Sequence, residues 1–260
     1  MTMKKYIYHY TKFSTAIEHI LPTMKLKSNS LKNMNDPREN QLWSFPGQNV
    51  NYRKIYPKTC SEENYCEHQF KLGDEIRNSV QAISFVQSVK DKGFMNEMMW
   101  AHYGENHKGI CLEIDEQVFC EENNIADEKL IAIIYENVEK PFITWDQECS
   151  KRENISRISR RYYKELYLTK STYWKKEEEK RLILFDNFDY CKNRYFKIDN
   201  SLKGIYLGLC FPYAFRAAVD THIIHDNTKI YDLYFEQNTI KPANREMGDF
   251  RTLIIRQWNC

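Results

Sequence analysis

The stretch KYIYHY, Lys5 to Tyr10, alternates along its length and is rich in β-forming residues. It reads as a strand, and a strand sends successive side chains to opposite faces. Carried one residue further, to Thr11, it places His9 and Thr11 on one face and Tyr8 and Tyr10 on the other. The segments after it decide the fold class. TAIEHIL reads as a short helix capped by Ser14 and ended by Pro22. Lys25 to Ser30 reads as a second strand. NMNDPREN, Asn33 to Asn40, is turn chemistry, and residues 41 to 72 look irregular.

Further along, a helix is expected from about Leu72 to Val80 and a strand at Gln81 to Gln87. Phe94 to His102 reads as a helix stopped by Gly104. ICLEID, Ile110 to Asp115, is a strand with Cys111, Glu113 and Asp115 on one face, and LIAIIYENV, Leu130 to Val138, a buried one. Ser150 to about Thr172 reads as a long polar helix. Arg181 to Phe185, Gly204 to Cys210 and Lys229 to Glu236 add three strands, with a helix at Phe215 to Val219 between the last two. Strands outnumber helices, and the helices are inserted among them rather than alternating with them. That pattern predicts α+β, not a doubly wound sheet. One domain over residues 1–260 is expected, with its core between about 5 and 240.

A formal charge of +2 and a pI near 8.0 create no global field that demands nucleic acid or membrane. The leading MTMKKYIYHYTKF lacks the apolar run of a signal peptide, and no stretch is apolar for long enough to span a bilayer. A cytoplasmic protein with reduced thiols, and no membrane partner, is therefore expected. Cys60, Cys66 and His68 lack the spacing and second ligand pair of a zinc knuckle, so no metal is expected there.

The chemistry-bearing residues fall in four places. His9 with Tyr10 and Thr11 could hold a ribose, since imidazole and hydroxyl supply the donors and acceptors a diol needs. Their bland alternative is a half-buried His bonded to backbone. In MMWAHYGENHKG, Met98 to Gly109, Trp100 and Tyr103 share a helix face and suit stacking on a planar heterocycle. There His102, His107 and Lys108 could bind phosphate or sugar, and Gly109 lets backbone approach; equally, the aromatics could simply cover the sheet. NDP could be only a capped turn, or Asn35 and Asp36 could orient a basic neighbour. Finally, Glu177, Glu179 and Arg181 share one face if a strand begins near Glu177. Carboxylates held beside a guanidinium suit an oxocarbenium-like transition state on a sugar; the bland alternative is a solvated acidic turn. Lys151 to Arg181 is dense in Lys and Arg and could touch a nucleic-acid backbone, although a solvated helix face is the simpler reading.

In order, YHYTKFSTAIEHIL, NDPREN, AISFVQS, MMWAHYGENHKGICLEID, YWKKEEEKRLIL and GIYLGLCF resemble the bacterial domain-of-unknown-function 2971 family. The resemblance runs from about Tyr6 to Glu236, and W-x-H-Y-G-x-x-H-K-G, Trp100 to Gly109, is its most specific part. Through the leading strand that family is similar to the ADP-ribosyltransferase-like superfamily. The resemblance implies a split, bent β-sheet gripping NAD as substrate. It implies His9 at the NAD ribose, with Glu179 or Glu177 as catalytic carboxylate. Trp100 or Tyr103 would then lie against the nicotinamide or the acceptor, a protein or a nucleic acid. A toxin or phage-defence context would follow. Two functions are carried forward: an NAD-using ADP-ribosyltransferase or NAD glycohydrolase, and a non-catalytic sensor of nucleotide or RNA.

Overall fold

A computed structural model describes residues 5–31, 74, 77–87, 92–126, 129–137, 159–185, 194–222 and 228–244. Strand β1 (Tyr6–Thr11) is followed, after Lys12, by α1 (Phe13–Thr15), a π-helical segment (Ala16–Ile20) and α2 (Leu21–Thr23), which are continuous with one another. Then come β2 (Lys25–Lys27), β3 (Asn29–Ser30), β4 (Val80–Gln87), a 3-10 turn (Gly93–Met95), α3 (Glu97–His102), β5 (Ile110–Asp115) and α4 (Glu116–Glu122). The middle holds β6 (Leu130–Ala132), β7 (Ile134–Tyr135), α5 (Tyr163–Tyr167), β8 (Thr169–Lys170), a 3-10 helix (Thr172–Glu177) and β9 (Glu179–Phe185). The last part holds β10 (Tyr195–Lys197), β11 (Leu202–Leu207), α6 (Arg216–Thr221), β12 (Lys229–Glu236) and β13 (Thr239–Asn244).

Nine strands form one bent, mixed sheet in the order β13-β12-β11-β5-β1-β4-β9-β6, with β3 added to β4. Within it β11 and β12 are parallel and the other pairs antiparallel. The expected α+β class is therefore the observed one. One face carries Ile7, Ile83, Phe85, Leu112, Ile114 and Leu182, closed by Phe119 of α4 and by Ile20 and Leu21. The other carries two clusters: Val80, Ala82 and Ile183 beside Tyr167, and Tyr8, Tyr10, Val86 and Tyr206 beside Phe94 and Trp100. Burial on both faces explains why the central strands read as nearly continuous apolar runs.

One irregularity positions the site. β1 pairs with β5 along all six residues, Tyr6↔Asp115 to Thr11↔Ile110. With β4 it pairs only at Ile7↔Gln87 and Tyr8↔Val86. Beyond Tyr8 the two strands part. Farther along the same edge of β4, β3 takes over at Asn29↔Ala82 and Ser30↔Gln81. The edge of β4 around Ser84 is thus left between two neighbours.

Several local expectations are corrected. The first helix begins at Phe13, behind Lys12 rather than Ser14, and Pro22 does not end it. Pro22 lies in α2, in the last turn of a helical run that is continuous from Phe13; the chain turns at Met24, in the left-handed region at φ 49°. Lys25 to Ser30 is two short strands in different sheets, because β2 pairs with β10 and β3 with β4. Leu130 to Val138 is likewise interrupted, into β6 and β7. The long polar helix is reduced in the described residues: the chain is already extended at Thr169–Lys170, which lies parallel to Ile134–Tyr135. Pairing and burial there override helix propensity. β10, β13 and α4 went unread because each is short or lacks a clean period.

Candidate functional site

Where β1 and β4 part, a cavity of about 450 Å3 opens. Since the sheet is open there, residues of both faces of β1, Tyr8, His9 and Tyr10, reach it. β4 supplies Ala82 to Val86 along the far wall. His9 Nδ1 lies 3.0 Å from the carbonyl oxygen of Ser84. A carbonyl only accepts, so Nδ1 carries the proton and Nε2 is left as an acceptor. Burial lowers the pKa of this imidazole, against the opposing pull of that same bond, and His9 is neutral at pH 7. Its ring meets the Phe85 ring edge-on at 5.8 Å. The hydroxyl of Ser84 is buried in the wall with no hydrogen-bond partner. Such an orphan costs roughly 1–3 kcal/mol, which a polar ligand atom would offset.

The closed end is a four-charge cluster. Lys170 Nζ lies 2.7 Å from Glu177 Oε2 and 2.6 Å from Glu179 Oε2. Arg181 donates from Nε to Glu179 Oε1 at 2.5 Å and from Nη2 to Oε2 at 3.1 Å, and from Nη1 to the Tyr167 carbonyl. Tyr103 donates to Glu177 Oε1 at 2.7 Å. The backbone N–H of Glu179 donates to the Tyr135 hydroxyl. Burial raises the pKa of Glu179, but Arg181 and Lys170 outweigh it and hold the carboxyl well below the usual range. Two basic side chains thus face two carboxyl groups in a buried cluster of formally balanced charge.

Glu177 reaches this cluster by a route different from the one expected. It ends the 3-10 helix, and Glu178, left-handed at φ 47°, turns the chain before β9 starts at Glu179. A turn, not the period of a strand, brings Glu177 and Glu179 to the same lysine. Of the two, Glu179 has both oxygens held by Arg181 and Lys170. Glu177 meets Lys170 through one oxygen and the half-buried Tyr103 hydroxyl through the other.

The structure thus brings His9, Tyr10, His102, Tyr103, Glu177 and Glu179 to one cavity. The other candidates lie elsewhere. Trp100 is fully buried in the core, its Nε1 donating to the Phe94 carbonyl and its ring edge-on to Tyr10 at 4.9 Å. His107 stacks on Trp100 at 6.2 Å, and Lys108 is exposed; neither lines the cavity. Thr11 is buried and contributes nothing to the lining. Arg181 sits behind Glu179, fully buried. A Cβ on Gly109 would meet the Thr11 carbonyl at 2.2 Å, so this glycine admits a neighbouring strand, not a ligand. Asn35, Asp36, Cys60, Cys66, His68 and most of the basic stretch before Ser159 lie outside the described residues.

Sequence reasoning missed Lys170, Ser84, Lys12 and Lys27. Lys170 is one lysine among many; its only local signal is its place in the β-prone YLTKSTY. Ser84 sits in a strand that reads as core.

Residues 99–182 match the model of a family described as a protein of unknown function, DUF2971. No curated protein and no solved structure matches the chain. The matched segment runs from α3 into β9, so it holds Tyr103, Lys170, Glu177 and Glu179, while His9 and Ser84 lie outside it. Among the described residues no helix is long and apolar enough to cross a membrane, and no group of three His, Cys, Asp or Glu is placed to hold a metal ion. Cys111 and Cys120 are buried free thiols; Cys210, expected to be reduced, is disulfide-bonded.

Proposed function

We propose that the chain binds NAD between β1 and β4 and cleaves its N-glycosidic bond, as an ADP-ribosyltransferase or NAD glycohydrolase does. The observation that carries this reading is the convergence of His9 and Glu177, from segments far apart in the chain, on one aromatic-lined cavity. In it, His9 Nε2 accepts from a ribose hydroxyl, and the Tyr8, Tyr10 and Tyr103 side chains bound the space for the nicotinamide nucleoside. The bond from C1′ to the nicotinamide nitrogen breaks with its electron pair leaving on nicotinamide. The positive charge left on the ribosyl group is stabilised by the Glu177 carboxylate, held in place by Tyr103 and Lys170. Water, or an acceptor nucleophile on protein or nucleic acid, then bonds to C1′ and gives up its proton to solvent. The early parting of β1 from β4 supports the split sheet of the ADP-ribosyltransferase-like type that this reading assumes.

A second reading has its own observation. Every oxygen of Glu177 and Glu179 already accepts from Lys170, Arg181 or Tyr103. A cluster so satisfied suits a sensor that binds a nucleotide without turning it over.

Incubation with NAD, with nicotinamide measured by chromatography and NAD binding by calorimetry, separates the two. Release by the wild type is expected to fall roughly 100-fold in Glu177→Gln, the order found for loss of one charge-stabilising group. Equal release from both proteins would end the carboxylate assignment. Binding without release from the wild type selects the sensor.

A further inference from the structure

The cavity has electrical polarity along its length. At the closed end, both cations, Lys170 and Arg181, are neutralised by carboxylates within ion-pair distance. At the other end the lining changes to Lys12, Lys27 and Asn29, all exposed to solvent. Lys12 directly follows β1, Lys27 ends β2, and Asn29 is the β3 residue paired with Ala82. Three elements that are separate in the chain thus place two ammonium groups and an amide at one mouth. Among the described residues, neither lysine side chain has an ion-pair or hydrogen-bond partner. Two ammonium groups at the rim of a cavity raise the local concentration of anions, and lysine binds phosphate as a point charge.

The register of β4 gives the spacing. Val86 stands opposite Glu179, and Ala82 opposite Asn29. Four residue steps along the strand separate them, about 13 Å at the usual rise. A nucleoside with its sugar at the acidic end would extend its 5′ substituent along β4 toward the lysines.

Resting on the nucleotide reading above, we infer that Lys12 and Lys27 hold the phosphate groups of a free nucleotide whose sugar lies at His9 and Glu177. This moves phosphate recognition away from His107 and Lys108, which do not line the cavity. The ligand class is then a nucleoside carrying 5′ phosphate or pyrophosphate, and the bare nucleoside is a poor ligand.

The test uses the full chain and calorimetric titration with NAD, nicotinamide riboside and inorganic pyrophosphate, on wild type and on the double variant Lys12→Ala, Lys27→Ala. Both lysines are exposed, so the variant should unfold thermally with the wild type. NAD affinity is expected to fall at least tenfold in the variant, riboside affinity to stay weak and unchanged, and pyrophosphate to compete with NAD on the wild type only. Equal binding of NAD to both proteins would overturn the inference, as would riboside binding as tightly as NAD. Pyrophosphate binding that is lost in the variant, with no binding of NAD, keeps the anion site and ends the nucleotide reading. No binding of any probe ends both. A 5′-phosphorylated oligonucleotide that binds more tightly than NAD, and loses that advantage in the variant, overturns the free nucleotide as the source of the phosphate.

Discussion

At the scale of single residues, the charged cluster separates support from reactivity. Arg181 is fully buried and its partners are Glu179 and the Tyr167 carbonyl. Removing either member of a buried pair leaves an uncompensated charge. Arg181→Leu and Glu179→Gln should each cost about 3–5 kcal/mol, read as a lower urea midpoint. Glu177→Gln leaves Lys170 still paired with Glu179, so its cost should be nearer 1–3 kcal/mol. A larger loss for Glu177→Gln than for Arg181→Leu would reverse this division. His9 makes a prediction in pH. Its folded pKa lies below its ordinary 6.5, so between the two values the unfolded chain binds more protons and stability rises with pH. Its contribution is full above about 6.5 and is lost as pH falls toward the folded value. Urea midpoints of the wild type should therefore drop between pH 7.5 and 5 more than those of His9→Gln; parallel curves would show that His9 is not buried as a neutral base.

The informative element is α3. Its N-cap, Asn96, accepts from the Met99 N–H at 3.2 Å and donates through its side chain to the Lys176 carbonyl. One residue thus caps the helix that presents Tyr103 and ties it to the 3-10 helix that ends in Glu177. Loss of such a cap costs about 1 kcal/mol. Asn96→Ala should cost that much in stability. If the tie positions Glu177, it should also lower nicotinamide release while leaving NAD affinity near that of the wild type. A stability loss with unchanged turnover would make Asn96 a cap and nothing more. The same stretch explains a misreading. Trp100 and Tyr103 do lie near one another on the helix, yet Trp100 fills the core beneath while Tyr103 reaches the cavity. Helical spacing orders side chains around an axis; it does not say which side of the sheet's cover is empty.

For the molecule as a whole, the cavity exists because β1 abandons β4 after two residue pairs and β3 rejoins the same edge farther along. The ligand would bridge segments far apart in the chain, so binding should stabilise the folded state by mass action, about 2.7 kcal/mol at a hundredfold excess over Kd. Thermal unfolding should shift upward with NAD in the wild type and in Arg181→Lys, and shift much less in His9→Ala. An equal shift in His9→Ala would place the ligand elsewhere.

What the sequence determined by itself was local and periodic. KYIYHY, ICLEID and KIYDLYFE declared their strands through alternation and β-forming residues, and the α+β class followed from their number. His9, Tyr103 and the two glutamates could be singled out because their side chains suit sugar and base chemistry wherever they stand. Tertiary structure decided which of them meet. Lys170 was indistinguishable in sequence from its neighbours, and only a two-residue parallel pairing with Tyr135 buries it between Glu177 and Glu179. Burial in turn fixes the charges: desolvation, neighbouring ions and a carbonyl bond act on His9 and Glu179 through distances of a few ångströms, set by strands far apart in the chain.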